Sequence, residues 1–194
     1  MSDLEQRLSQ LKHRLRTAYD GIGHSHGRPY VYVVYPPAQE RALRRLVATE
    51  FSTDGTLTFY HLDVLTIVAQ SSAGQETRRE ELLNDPLKSG EAERSLLRLW
   101  ARRVAQAITT SLATIPTPPR PVVVLRGLAA LHPLGTPTGM MEELAEHEPR
   151  NPATGQMVPI VLLVPGIRPP QTSREYLFLG QERLRQAFYR GEEA

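Results

Sequence analysis

The amino-acid sequence predicts an α/β fold, a mainly parallel sheet of four or five strands flanked by helices. Two apolar runs carry the prediction, Val122-Val123-Val124-Leu125 and Ile160-Val161-Leu162-Leu163-Val164. Both are short, rich in β-branched residues, bounded by Pro or Gly and without alternation, the pattern of strands buried on both faces. Between them Met140 to His147 reads as a helix. A strand, a crossover helix and a second buried strand form a βαβ unit, whose strands run parallel. Length sets the rest: 194 residues with 40% hydrophobic content build one domain with a full core and are too few for two. Residues 1–194 are therefore read as a single domain.

The elements follow in order. Within residues 1–20, Leu4, Leu8, Leu11 and Leu15 recur at spacings of four and three with charged residues between them, which makes an amphipathic helix with a narrow seam. That seam either packs on its own domain or, if exposed, docks on a partner; about two heptads alone make a poor coiled coil. Residues 21–28 form a Gly/His loop that breaks the helix with three glycines. Tyr30 to Tyr35 is the first strand. Pro36-Pro37 closes it and supplies the fixed φ that starts a helix, which turns Ala42, Leu43, Leu46, Val47 and Phe51 inward. Thr56 to His61 reads as the second strand, followed by short helices at Val64 to Ala69 and Gln75 to Asn84. A long helix from Glu91 to Thr114 carries Leu96, Leu97, Trp100, Val104, Ile108 and Leu112 on one stripe, with Trp100 as a core anchor. The prolines from Pro116 to Pro121 act as a stiff connector into the third strand. After the fourth strand the chain turns at Pro165-Gly166, enters a last strand at Tyr176 to Leu179, and closes with a short helix from Gln181 to Tyr189.

Composition excludes several classes of function. No apolar run approaches the roughly 18 residues that cross a bilayer, and Met1-Ser2-Asp3-Leu4-Glu5 lacks the order of a signal peptide, so a soluble, cytoplasmic protein is expected. Without cysteine there are no disulfides, thiolate metal sites or thiol nucleophiles. Net charge is +2, and of the 23 basic residues all but Lys12 and Lys88 are arginine. Acidic residues are interspersed among them, unlike the one-sided basic surface of a nucleic-acid binder.

Candidate chemistry is sparse. Tyr35-Pro36-Pro37-Ala38-Gln39-Glu40 occupies the place of a phosphate loop, but it has two prolines without N–H groups and neither the glycines nor the lysine that hold phosphates. No Gly-x-Ser-x-Gly elbow exposes a nucleophile. His24 and His26, with His13 a helix away, have no acidic partner close in sequence to complete a zinc site. Glu142-Glu143 reads as a capping pair at the start of the crossover helix. Arg41, Arg44 and Arg45, and Arg98, Arg102 and Arg103, read as solvated helix faces. In a phosphate-loop ATPase the strand equivalent to Val122 to Leu125 ends in an acidic residue that holds magnesium; this chain has Arg126 there. The order of elements thus resembles a degenerate P-loop NTPase-like core without its phosphate loop. By analogy, the first, third and fourth strands are expected inside the sheet and the second at an edge.

The C-terminal part carries a more specific likeness. Gly127-Leu128-Ala129-Ala130-Leu131-His132-Pro133-Leu134, the segment Met140 to His147, Val158 to Gly166, Leu177-Phe178-Leu179-Gly180 and Arg185-Gln186-Ala187-Phe188 resemble the BrxB family, small proteins of the BREX bacteriophage-exclusion systems of bacteria and archaea. The likeness covers roughly the last seventy residues. Ala129 departs from it where the family has a second glycine, the segment Arg168 to Arg174 is richer in proline, and Arg185 to Phe188 matches the closing Tyr-Arg-Ala-Phe in part. The resemblance implies a non-catalytic protein of antiviral defence, a scaffold without cofactor that supports phage resistance through protein-protein interaction. It acts beside a PglZ-type phosphatase-fold protein, and with a BrxC-type ATPase and a PglX-type methyltransferase. Partner-binding surfaces are expected at Leu4, Leu8, Leu11 and Leu15, if that seam is exposed, and at Tyr176, Phe178, Phe188 and Tyr189. Two other classes stay open, an arginine-dependent nucleic-acid-binding accessory protein and a cryptic nucleotidase or nuclease.

Overall fold

The first helix begins where a capping box places it. The Ser2 hydroxyl accepts the Glu5 backbone N–H and the Glu5 carboxylate accepts the Ser2 N–H, which satisfies two donors that a helix start leaves unpaired. The computed structural model describes residues 2–22, 29–113, 120–147, 149–170, 174–188 and 191–194. Its elements are α1 (Asp3–Thr17), β1 (Tyr30–Tyr35), α2 (Glu40–Glu50), β2 (Thr58–Asp63), α3 (Val64–Ser72), α4 (Glu76–Asn84) and α5 (Ser89–Ala113). There follow β3 (Pro121–Arg126), α6 (Pro137–Leu144), β4 (Ile160–Ile167), β5 (Glu175–Phe178), β6 (Arg185–Ala187) and β7 (Glu192–Glu193).

The sheet runs β2-β3-β4-β1-β7, with β5 added on β4 and β6 on β5. β1, β3 and β4 are interior and β2 is at an edge, the placement expected from the order of elements. The sheet is mixed: β1 pairs in parallel with β4 and β7, and β3 with β2 and β4, whereas β4–β5 and β5–β6 are antiparallel. The antiparallel extension follows from chain length. Only residues 168–174 separate β4 from β5, fewer than the dozen or so that a parallel crossover needs.

Strand periodicity divides the core into two layers. Tyr30, Tyr32 and Val34 face α3, α5 and α6, while Val31, Val33 and Tyr35 face α1 and α2. Helices therefore cover both faces of the central strands, which explains why their sequences are continuously apolar. Leu4, Leu8, Leu11 and Leu15 are 5%, 0%, 2% and 0% exposed. The exposure on which their docking role depended is absent, because the seam lies on Val31, Val33, Val161 and Leu163. Each such leucine contributes roughly 1.5–3 kcal/mol by leaving water. Arg7 fastens the same helix by donating to the Val34 carbonyl at 2.9 Å.

Three further expectations change. The segment expected as a terminal helix is a 3-10 turn (Glu182–Leu184) followed by β6, whose pairing with β5 overrides the local helix preference. β7, which no apolar run announced, pairs with β1. The crossover helix starts earlier than its sequence suggested, at Thr136, whose hydroxyl accepts the Gly139 N–H at 3.1 Å with Pro137 at the first helical position. Glu142 and Glu143 therefore sit in its last turn, where the dipole does not favour carboxylates, and Glu143 pairs instead with Arg98 at 3.5 Å. The histidine loop, the prolines from Pro116 to Pro119, and Tyr189 lie outside the described residues. No helix among the described residues is long and apolar enough to cross a membrane.

Candidate functional site

Parallel pairing brings the carboxyl ends of β1, β2, β3 and β4 to one rim of the sheet, where open α/β sheets receive ligands. Here the rim holds the chain's own side chains. At the end of β1, the Tyr35 hydroxyl donates to Glu40 in the first turn of α2, and Arg44 Nε donates to the other oxygen of that carboxylate at 2.8 Å. Burial, joined by the hydrogen bond and charge of Glu40, pushes the Tyr35 hydroxyl far above the ordinary tyrosine value. The hydrogen bond that Arg44 donates to Glu40 raises the Arg44 pKa likewise. Tyr35 is thus held protonated and is no general base at neutral pH. The turn that follows β1 is Pro36 and a 3-10 helix (Pro37–Gln39), so two of the backbone positions at which a phosphate would sit carry no N–H.

At the end of β2, Asp63 Oδ1 accepts the Leu65 N–H at 3.1 Å and caps α3. Its Oδ2 faces Arg126 Nε at the end of β3, 3.4 Å away. The next residue, Gly127, has φ 71°, and a Cβ placed there would stand 2.5 Å from Asp63 Oδ1. The end of β3 thus carries a guanidinium in ion-pair contact with Asp63, whose other oxygen caps α3. At the end of β4, Arg168 pairs with Glu193, which Arg7 also approaches at 3.5 Å. Burial and the like charge of Arg7 lower the Arg168 pKa. Among the described residues no group of three His, Asp or Glu is placed to hold a metal ion.

The aromatic residues expected at a partner surface are also core. Tyr176 and Phe178 are 0% exposed and Phe188 is 4%. Phe188 stacks on both Tyr32 and Tyr176, and the Tyr176 hydroxyl meets Thr138 Oγ1 at 3.1 Å. Tyr189 lies outside the described residues. The arginines do not converge either: Arg41, Arg44 and Arg45 are on α2, and Arg98, Arg102 and Arg103 on α5, which packs against the opposite face of the sheet.

What the sequence left unmarked is the surface of α3 to α5. Leu65, Leu82 and Leu87 are 52%, 38% and 95% exposed, and α4 has no buried residue at all. Asp63 and Glu40 do carry a signal in the sequence, because an acidic residue just before or within a first helical turn marks a helix start. Compared with protein-family models, with curated proteins and with solved structures, the chain matches none.

Proposed function

We propose that this chain is a non-catalytic protein-protein interaction component of a BREX anti-phage defence complex, working in the cytoplasm. One observation carries the reading: the rim where an ATPase core would hold phosphate and magnesium carries two separate side-chain groups, the hydrogen-bonded Tyr35, Glu40 and Arg44 and the ion pair of Asp63 with Arg126. The interior placement of β1, β3 and β4 with β2 at an edge supports descent from a degenerate P-loop NTPase-like core. The BrxB-like segments from Gly127 to Phe188 support the system. They form much of α6, β4 and β6 and the end of β5, and they supply Phe188 to the aromatic stack, so the likeness lies in scaffold. Exposed leucines on α3 to α5 support contact with other proteins.

The first partner to test in this reading is a PglZ-type phosphatase-fold protein, with a BrxC-type ATPase and a PglX-type methyltransferase as the other candidates in the same assembly. Co-expression of the tagged chain with each of the three tests it. The expected result is stoichiometric co-purification of the PglZ-type protein through size exclusion. Failure to retain any of the three rejects the reading. A nucleotide seen at the end of β1 after a crystal soak would reject the account of the rim.

A further inference from the structure

α5 is longer than its core stripe requires. Trp100, Val104, Ile108 and Leu112 face the sheet. A neighbouring stripe, from Ala92 through Leu96, Leu99, Arg103 and Ala107 to Thr110, forms the floor of a trough walled by α3 and α4. Gln75 borders both hollows, which lie end to end along α5. At about 1.5 Å per residue of helix the trough floor is about 27 Å long. Three charged side chains line it, Arg78 and Arg79 at the α4 end and Arg103 at the α3 end, and no carboxylate does. Arg103 donates to Gln106 and Arg79 to Gln75; among the described residues none of the three lies within ion-pair distance of a carboxylate, though Arg79 interacts with the Glu76 charge.

The seat of α4 is incompletely bonded. Arg79 Nη2 donates to the Ser71 carbonyl at 2.8 Å, yet its Nη1 is buried without an acceptor. Trp100, 5% exposed, lies beside the other flank of α4, and its Nε1 also has no acceptor. Native proteins pair nearly all such buried donors. Arg79 borders the trough and Trp100 lies outside it, on the other side of a helix with no buried residue.

We propose that this trough is a docking groove for an acidic amphipathic helix of a partner protein. Leu96 and Leu99 on the floor with Leu82 on the wall suit the apolar face of such a helix, and the three arginines suit carboxylates beside that face. A nucleic acid fits less well, because no aromatic side chain lines the trough to stack a base. The inference concerns the chemistry of this face and does not depend on which system the chain serves.

Selection of the full-length chain against a random library of displayed peptides of about 19 residues, a length matched to the trough, tests the proposal. The expected winners carry Leu or Ile at helical spacing flanked by Asp or Glu. They bind at least about tenfold more weakly to the Arg78→Glu/Arg103→Glu double variant. Leu82→Glu, on the exposed side of α4, gives a comparable loss through the apolar contact and serves if the double variant misfolds. Basic winners, winners indifferent to these substitutions, absence of any enrichment, or single-stranded DNA binding that the same variants abolish each overturn it.

Discussion

The ring of Phe188 lies on the ring of Tyr32 with centroids 3.6 Å apart, and it also stacks on Tyr176 at 4.5 Å. Tyr32 belongs to β1, Tyr176 to β5, and Phe188 follows β6, so one side chain ties the antiparallel extension to the central strands. Phe188→Ala is expected to destabilise the fold by roughly 3–5 kcal/mol, the usual cost of emptying a buried aromatic site. Urea unfolding followed by circular dichroism measures it. An unchanged midpoint would show that Phe188 is not core and would return it to the candidate surfaces.

The leucine seam of α1 makes the opposite demand from a docking helix. Leu8→Glu combined with Leu11→Glu places two carboxylates against Val31, Val33 and Leu163 with no partner for either charge. The expected outcome is loss of the cooperative unfolding transition and exposure of apolar surface to a dye. A variant that stays folded and loses only partner binding would make the seam an interface after all.

Acid sensitivity should concentrate at Asp54. Its carboxylate accepts from Arg16 and from the backbone N–H groups of Thr56 and Leu57, at 2.8 and 3.0 Å. These contacts, the Arg16 hydrogen bond foremost, hold it well below the usual carboxylate range. Because the folded-state value is depressed, the stabilisation is present above the unfolded value of about 3.9 and is lost as pH falls below it. Asp54→Asn is therefore expected to be less stable at neutral pH and to show a flatter fall in stability below about pH 4. Thermal unfolding across that range checks both, and parallel curves for the two proteins would refute the assignment.

Elements that bury a continuous or periodic apolar face were legible from sequence: α1 from its leucines, β1, β3 and β4 from their runs, α5 from the stripe around Trp100. Interior and edge placement followed from the order of the elements. The direction of β5 and the strand character of β6 were not, because pairing partners far along the chain decide them and the segment from Gln181 to Phe188 has an acceptable helix composition. At the rim, the proline turn after β1 was legible in Pro36 and Pro37, and the basic end of β3 in Arg126. The pairings Tyr35–Glu40 and Asp63–Arg126 were not, since the second joins neighbouring strands 63 positions apart in sequence. The seam packs on its own domain, one of the two readings its sequence allowed, and Tyr176, Phe178 and Phe188 are buried as well. An apolar stripe in sequence says that a face will be covered and leaves open whether the cover is the same chain.

Gly127 offers the sharpest test of the rim. Its φ of 71° is costly for any residue with a side chain, and a Cβ would come within 2.5 Å of Asp63 Oδ1. Gly127→Ala is expected to cost roughly 1–3 kcal/mol from the backbone alone, and more as the carboxylate is pushed from the Leu65 N–H and from Arg126. Asp63→Ala removes the obstacle and the cap together, the latter typically worth about 1 kcal/mol. If the clash is real, the double variant is less damaged than the two single losses added, because part of the glycine penalty disappears with the carboxylate. Urea midpoints of the four proteins give the coupling directly. Strict additivity would mean that Asp63 has room to move aside and that the rim is looser than its packing indicates.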